Sequence, residues 1–432
     1  MPDRQTQLEK PNKKGGTTMT TTTTNPLTTK TTNTPAQTAI IKEFIAKRLP
    51  EYQALALDIH EHPEVSNYEF YSSGALVAQL EKEGFTVAQD VAGHRTGFDA
   101  RYQGKKPGPT LAFLAEFDAL PGIGHACGHN LFGTYSVLAA SALKELIDEV
   151  GGELRVYGTP GEEGGENGSA KGSFVKHGYF TDVDAALCIH PGYRYQKTSA
   201  SLANDPVDIK FYGVASHAAG APEAGISALE ALLQVFNGIN GLRLSLPKDV
   251  NIHGIITDGG QAANVIPEFA SARFYLRAAN RKTLDQVYEK VENIVKGAAL
   301  ATGATYEFGL FQNAVDDVIV TPLFDEVFFR HAEEAGVPET EIQERDSGSK
   351  GSSDVGNVSQ VIPTIQPTVS IADEYIAGHS EEFKAAARST KGLASIGIAA
   401  ELLATTALDL LQDPELLAAI KEEHQKQVAK GN

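Results

Sequence analysis

The stretch that decides the fold is Thr110–Ala140, which reads TLAFLAEFDALPGIGHACGHNLFGTYSVLAA. Its first residues, Thr110–Ala115, predict a buried strand, and the apolar segment Leu131–Leu146 predicts a helix. Between them lies a turn with Pro, Gly and acidic residues that also carries Cys127 and His129. Functional groups of α/β folds gather beyond the carboxyl ends of strands. The turn is therefore the first candidate for a functional site.

On both sides of this stretch, apolar runs alternate with helix-like segments. The predicted elements are the helices Ile40–His62 and Tyr71–Glu83, the strands Leu154–Tyr157, Ala185–Ile189 and Thr364–Val369, and long helices from Glu381 to the end. Strands that alternate with helices predict a largely parallel sheet covered on both faces.

The middle of the chain has a different order of elements. It predicts the strand Val207–Tyr212, the helix Ala224–Leu242, the strands Ile252–Ile256 and Ala270–Leu276, the helix Lys282–Leu300 and the strand Thr305–Phe311. The order β-α-β-β-α-β is that of a ferredoxin-like domain. The predicted fold class is therefore α/β, with an α/β/α domain interrupted by a smaller inserted one. The predicted limits are a Thr-rich tail at 1–37, the larger domain at 38–204 and 317–432, and the inserted domain at 205–316.

Composition restricts the possible partners. The chain has 432 residues and a net charge of −18, which argues against nucleic acid or an anionic membrane as a partner. No apolar run approaches the roughly 20 residues that span a bilayer. The polar, Thr-rich opening Met1–Pro35 predicts a disordered tail, and it has no apolar segment of the kind a secretory signal contains. With only two cysteines, a reducing compartment is expected, so we predict a cytoplasmic protein.

Three further segments place a possible metal ligand at the edge of a predicted strand or helix. Glu162 and Glu163 lie in a Gly-rich loop after a strand, His190 ends an apolar strand, and His379 precedes a helix. Each segment alone has an ordinary structural explanation, such as a solvated acidic turn or a capping histidine. Their joint occurrence with the Cys127 turn weakens that explanation.

The candidate ligands form a mixed thiolate, imidazole and carboxylate set: Cys127, His129, Glu163, His190 and His379. Such a set suits zinc, with manganese or cobalt as alternatives. Five ligands exceed the needs of one open tetrahedral site, which favours two ions that share a bridging ligand. Glu162 then remains available as a general base that deprotonates a water molecule.

At these residues the chain resembles the co-catalytic metallopeptidases that include aminoacylase, bacterial glutamate carboxypeptidase, indole-acetyl-amino-acid hydrolase and aminobenzoyl-glutamate hydrolase. The resemblance runs from about Ile59 to the C-terminus. It rests on His60-Glu-His-Pro-Glu-Val65, His125-Ala-Cys-Gly-His129, Gly161-Glu-Glu-Gly-Gly165, Ile189-His-Pro191 and Gly378-His-Ser-Glu-Glu382.

The resemblance implies a role for each candidate residue. Cys127 bridges the ions, His129 and His190 hold one of them, and Glu163 and His379 hold the other. Asp118 orients a ligand, and Glu162 activates the water and passes its proton to the leaving amine.

The inserted domain also carries family-like motifs. The segment from Gly213 to Pro222 resembles a lid motif whose histidine, here His217, completes the active site of a neighbouring subunit. Asn264 and Arg277 resemble residues that grip the substrate. The resemblance thus implies a catalytic domain, a lid and dimerisation domain, and a homodimer. Without it, His217 and Arg277 would be taken as surface residues.

Two variations favour a particular branch. Asn130 follows Cys-Gly-His, and Glu116 stands in Leu-Ala-Glu-Phe-Asp, where many relatives have aspartate at both positions. With Gly348-Ser349 and Gly351–Ser359, these residues resemble the β-alanyl-lysine or Xaa-Arg dipeptidase branch. The expected activity is hydrolysis of the amide bond of a small dipeptide or N-acyl amino acid.

Two alternatives remain. One is an aminoacylase or aminobenzoyl-glutamate-type deacylase. The other is a non-catalytic metal-binding relative, against which Glu162 and the complete ligand set argue.

Overall fold

The computed structural model describes residues 32–345 and 351–431. Tail residues 1–31 and the Gly348-Ser349 pair therefore lie outside the described residues. For 32–37 the prediction of a disordered tail was wrong. The Thr34 side chain accepts a hydrogen bond from the Gln37 backbone N–H and the Gln37 side chain accepts one from the Thr34 N–H, so a capping box starts a helix at Pro35. Thr32 also donates to Asp409, which attaches this end to the core.

The helices and strands fall into three parts along the chain. The first part of the larger domain contains α1 (Pro35–Glu61), α2 (Phe70–Lys82), β1 (Thr86–Val91), β2 (His94–Gln103), β3 (Thr110–Ala115), α3 (His129–Val150), β4 (Glu153–Gly158), α4 (Ala170–Lys176), β5 (Ala185–Leu187), β6 (His190–Gly192) and β7 (Tyr195–Gln196). The inserted domain contains β8 (Ala203–Tyr212), α5 (Ala228–Leu242), β9 (Asn251–Asp258), β10 (Phe269–Ala278), α6 (Arg281–Thr302) and β11 (Thr305–Leu310). The chain then returns through α7 (Pro322–Glu334), β12 (Ile342–Gln343), α8 (Val355–Ser359), β13 (Thr364–Ile365), β14 (Thr368–Ser370), α9 (Glu381–Ala386), α10 (Thr390–Gln412) and α11 (Pro414–Gly431).

The main sheet has the strand order β1-β2-β4-β3-β5-β13. Strands β4, β3, β5 and β13 are parallel, as predicted. The prediction missed β1 and β2, which pair antiparallel at one edge. Strand β2 has buried polar residues, Thr96 and Asp99, whose side chains are paired with other polar groups, so its sequence lacks an apolar run.

The predicted strand Thr364–Val369 is divided into two. Strand β13 pairs with β5 in the main sheet, whereas β14 pairs with β6 in a small second sheet. Pro367 separates them, and a proline has no N–H to continue the ladder. This division pairs His190 with Thr368 in the second sheet, just after β5 of the main sheet ends.

Strand β3 is buried on both faces, as its apolar run predicts. Leu111 and Phe113 pack in the core shared with α1, α3 and α10, whereas Ala112 and Leu114 pack in the core formed with α4 and α8. In the described part of the chain, only α10 is long and apolar enough to cross a membrane, with a mean hydropathy of 1.5. The prediction that no run approaches that length was therefore wrong, but 72% of the window is buried and α10 packs against α3 and α1 as a core helix.

The inserted domain has the ferredoxin-like order that the sequence predicts. Its antiparallel sheet runs β11-β8-β10-β9, and α5 and α6 cover one face to form a separate core. Helix α5 begins later than predicted because the Ser227 side chain caps it by accepting from the Glu230 N–H. Within β10, Phe274 and Leu276 enter this core, so the alternating residues Tyr275 and Arg277 lie on the opposite face. The predicted domain limits themselves stay predictions.

Candidate metal centre and its cavity

The five predicted ligands meet at the carboxyl edge of the main sheet. Cys127 lies in the turn after β3 and His129 starts α3; Glu163 follows β4, His190 follows β5, and His379 precedes α9. The ligand atoms of Cys127, His129 and His190 all lie within 4.8 Å of one another. The same holds for Cys127, Glu163 and His379. The two groups therefore share the Cys127 sulfur.

The imidazoles are oriented by oxygen atoms on their far side. His129 Nδ1 lies 2.9 Å from Asp118 Oδ1 and 3.1 Å from the Asp118 carbonyl. His190 Nδ1 lies 2.7 Å from the Pro191 carbonyl. These acceptors assign the proton to Nδ1 and leave Nε2 of each ring as a possible ligand. The Nε2 atom of His190 in turn lies 3.4 Å from Cys127 Sγ.

Asp118 holds a second ligand in place as well. Its Oδ2 accepts a hydrogen bond of 2.9 Å from the backbone N–H of Glu163. Burial opposes ionisation of Asp118, but His129 and this N–H lower the pKa of the carboxyl. Asp118 thus contacts candidate ligands of both groups.

The residues present fit divalent cations. Glu163 Oε1 is buried and makes no hydrogen bond to any described residue, and the buried His129 Nε2 has the carboxylate oxygen Glu116 Oε2 3.2 Å away. Burial and the neighbouring Glu163 raise the pKa of the Cys127 thiol well above its ordinary value, so a nearby cation is needed to hold a thiolate. Buried acidic groups of this kind are costly without a positive charge among them.

Two backbone features bring the ligand loops together. Gly128 has a φ of 77°, and a Cβ added there would lie 2.6 Å from Pro191 Cγ. This close approach brings the Cys127 turn against the His190 strand. His379, a non-glycine residue with a φ of 60°, donates its backbone N–H to the Ala126 carbonyl. Its Nε2 thereby lies 3.4 Å from Glu163 Oε2.

Glu162 lines the same cavity as the ligands. Burial raises the pKa of its carboxyl well above the ordinary value, and the charges of Glu116, Glu163 and Asp354 raise it further. Glu162 is thus a half-buried carboxylate in a strongly acidic environment, beside the ligands but outside the two groups that share Cys127.

Two buried charged residues near the site were not predicted. Lys171 makes ion pairs with Glu116 and Asp354. Glu69 accepts hydrogen bonds from the Gly161 N–H at 3.0 Å and from Thr96, and burial with the Asp118 charge raises its pKa to about 8. The only sequence signal for Lys171 is a single charge within the otherwise uncharged segment Ser169–Val175.

The cavity has a volume of about 360 Å³ and lies between the two domains. Arg277 and Tyr275 reach it from the inserted domain. Arg277 Nη1 donates to Ser352 Oγ at 3.3 Å, and its buried Nε makes no hydrogen bond to any described residue. Burial lowers the pKa of Arg277. The guanidinium thus has an unused donor beside the cavity.

The structure does not bring His217 and Asn264 to this cavity. Both lie in the inserted domain, where the Ala218 N–H donates to the Asn264 carbonyl and His217 forms a bridge with Val265. They are neighbours of each other but do not line the cavity of their own subunit. Their roles stay predictions that require a second subunit.

A sheet-edge cluster of thiol, imidazole and carboxylate groups beside an inserted ferredoxin-like domain defines the class as a two-domain hydrolase of the metallopeptidase type. The M20 peptidase dimerisation domain matches residues 206–302. The Xaa-Arg dipeptidase of Mus musculus is 31% identical over 408 residues, with 91% of this chain and 94% of the relative covered. A p-aminobenzoyl-glutamate hydrolase subunit of Escherichia coli K12 is 35% identical over 326 residues, with 70% and 66% covered.

Solved structures share the fold. The aminobenzoyl-glutamate utilization protein of Klebsiella pneumoniae superposes with a TM-score of 0.68 at 21% identity, covering 85% of this chain and 98% of that one. A dinuclear metal-binding peptidase of the M20 family from Bacillus subtilis superposes with a TM-score of 0.59 at 22% identity, covering 86% and 99%.

The chain belongs to the M20 family of peptidases, and it is an amide-bond hydrolase. The resemblance and the fold class predicted from sequence are thereby confirmed. The family membership argues against the non-catalytic alternative.

We predict that Gly128→Ala weakens zinc binding by roughly 10- to 100-fold, because the added methyl group displaces Pro191 and with it His190. Competition with a chromophoric chelator measures the affinity. Gly122→Ala is the matched control, since Gly122 has the same φ of 77° with open space around its Cβ. Equal affinities of the two variants would contradict the prediction.

Proposed function

We propose that this protein is a two-metal dipeptidase that cleaves small dipeptides with a free amino group. The observation that carries the proposal is the pair of three-ligand groups that share Cys127 beside Glu162, in a cavity of small-molecule size. The choice of dipeptides is supported by similarity to Xaa-Arg dipeptidases over nearly the whole length of both chains.

In the proposed mechanism, His129 and His190 would hold one ion, Glu163 and His379 the other, and Cys127 both. Bound divalent ions, most simply zinc with manganese or cobalt as alternatives, would polarise the scissile carbonyl and acidify a water molecule. Glu162 would take a proton from the attacking water and deliver it to the leaving amine, so that each cleavage consumes one water. Asp118 would hold the His129 ring and the Glu163 loop in fixed positions relative to each other.

Arg277 would bind the substrate carboxylate. Its Nε donor makes no hydrogen bond within the described residues, and its pairing with Ser352 aims the guanidinium into the cavity. His217 and Asn264 would act from the neighbouring subunit, because neither reaches the cavity of its own.

A second candidate is a deacylase of the aminobenzoyl-glutamate or aminoacylase type. It is supported by the 35% identity to the hydrolase subunit from Escherichia coli. The two activities differ in whether the best substrate carries a free amino group or an acyl group at the position that the enzyme cleaves.

We predict that Glu162→Ala retains bound metal but loses turnover by about 10²- to 10⁴-fold, because its carboxylate moves protons and is not needed as a ligand. The measurement is hydrolysis of a panel of dipeptides and N-acyl amino acids by the metal-loaded enzyme. Glu166→Ala, an exposed glutamate in the same loop, is the control. Unchanged turnover in Glu162→Ala would reject the base assignment, and a preference for blocked substrates would favour the deacylase.

We predict that Arg277→Ala raises KM for carboxylate-bearing dipeptides and lowers kcat/KM by about 10- to 100-fold, which corresponds to one charge-assisted interaction. Amidated dipeptides, which lack the carboxylate, should be affected much less. Arg273→Ala is the control, because Arg273 projects from the same strand but pairs with Asp208 outside the cavity. An equal loss of kcat/KM with both substrate types would rule out the proposed contact between Arg277 and the substrate carboxylate.

We also propose a homodimer that forms through strand β9. This strand is the edge of the inserted sheet, and its residues Ile255 and Ile256 are 65% and 42% exposed. An unpaired edge with exposed apolar side chains favours pairing with a second chain, and the segment lies within the matched dimerisation domain.

Light scattering should therefore give the mass of a dimer, and Ile255→Asp should shift it toward the monomer because it places a charge in the apolar contact. Leu300→Asp is the control, since Leu300 is exposed on α6 away from this edge. A monodisperse wild-type monomer would contradict the homodimer.

We further propose a cytoplasmic location. Its support is the predicted role of Cys127, which has to remain a free thiolate, together with the small number of cysteines. Fractionation of the source cells tests this location.

A further inference from the structure

A buried charge cluster lies behind the metal centre and has no role in the mechanism above. It consists of Glu116, just after β3; Lys171, in the first turn of α4; and Asp354, just before α8. Each of the three is at most 1% exposed. Lys171 Nζ lies 2.7 Å from Glu116 Oε1 and 2.6 Å from Asp354 Oδ1. The Lys171 backbone N–H also donates to Asp354 Oδ2, so the lysine is held at both ends.

This pairing occupies only one oxygen of Glu116. The other, Oε2, lies 3.2 Å from Nε2 of His129, the ring nitrogen that is available to a metal. The opposite nitrogen of the same ring contacts Asp118, so His129 stands between two buried carboxylates. Ligand atoms of Glu116, His129 and Glu162 all lie within 4.8 Å of one another. The cluster thus has an oxygen directed at the metal centre.

Stability alone is a poor explanation for the cluster. One lysine faces two carboxylates, so the buried group keeps a net negative charge, and burying ions costs more than pairing them usually returns. A divalent cation beside Glu116 would balance the remaining charge.

We propose that Glu116 is an additional carboxylate of the metal centre, that it faces the ion held by His129 and His190, and that Lys171 and Asp354 keep it aimed there. This inference rests on the proposed function, because it presumes that two ions bind. Glu116 lies outside the five ligands that the sequence predicts, and Lys171 acts through it as a positioning residue.

The test is zinc binding by the full-length protein, measured by chelator competition. Glu116→Gln keeps the side-chain shape. It should lower the affinity for one of the two zinc equivalents by roughly 10- to 100-fold and leave the affinity for the other unchanged. Asp325→Asn is the matched control, because Asp325 is equally buried but pairs with Thr198 and Arg345 away from the cavity. This control should retain both equivalents at wild-type affinity.

Further variants assign the effect. Glu116→Asp retains the charge but withdraws the carboxylate by one methylene, and it should weaken the same equivalent even if Glu116→Gln does not fold. Lys171→Met should also weaken that equivalent, but should add little when Glu116 is already glutamine. His379→Asn should weaken the other equivalent, and its effect should add to that of Glu116→Gln.

The outcomes separate this inference from the proposed function. If the wild type binds two zinc ions and both Glu116 variants do so equally well, the inference is wrong and the proposed function stands. If Asp325→Asn loses zinc to the same extent, the effect is a general loss of stability and the inference again fails. If Glu116→Gln adds nothing to His379→Asn, the assigned ion is wrong. If the wild type binds no zinc, both proposals fail.

Discussion

Asp118 is buried just after β3 and uses both of its carboxylate oxygens. One lies against the imidazole of His129 and the other accepts the backbone N–H of Glu163. These two contacts join the turn after β3 to the loop after β4, which are separate in sequence and adjacent at the sheet edge. Because a ligand has to be held to within a fraction of an ångström, much of the chemistry of the site depends on this one side chain.

The main sheet explains why the site forms at this place. Its parallel strands β3, β4 and β5 all end at the same edge, and each continues into a loop that carries a candidate ligand. The result is a concentration of acidic groups with Lys171 as a buried cation among them. Repulsion among these acidic groups destabilises the folded site when cations are absent. Cation binding and folding should therefore be thermodynamically linked.

Much of this arrangement could be predicted from the sequence because its signals are local. Each candidate ligand stands at a strand end or helix start, and the alternating pattern of the middle segment indicates the ferredoxin-like domain. The hairpin of β1 and β2 could not be predicted, since the buried Thr96 is satisfied by Glu69 from outside the hairpin. The buried position of Lys171 could not be predicted for a similar reason, because its partner Asp354 lies 183 positions away in the sequence. The predicted roles of His217 and Asn264 cannot be tested in one subunit, because neither residue lines the cavity of its own subunit.

Strand β10 lies between the cavity and the free edge of the inserted sheet. Arg277 extends from it into the cavity, while the backbone of the same residue is paired with Asn251 of β9, at the sheet's free edge. A single hydrogen-bonded ladder therefore separates the cavity from the surface where a second chain would pair. Any displacement of that edge relative to the larger domain moves the guanidinium with it. Occupancy of the cavity and association of subunits would then be reciprocally coupled, so that each changes the affinity of the other by the same factor.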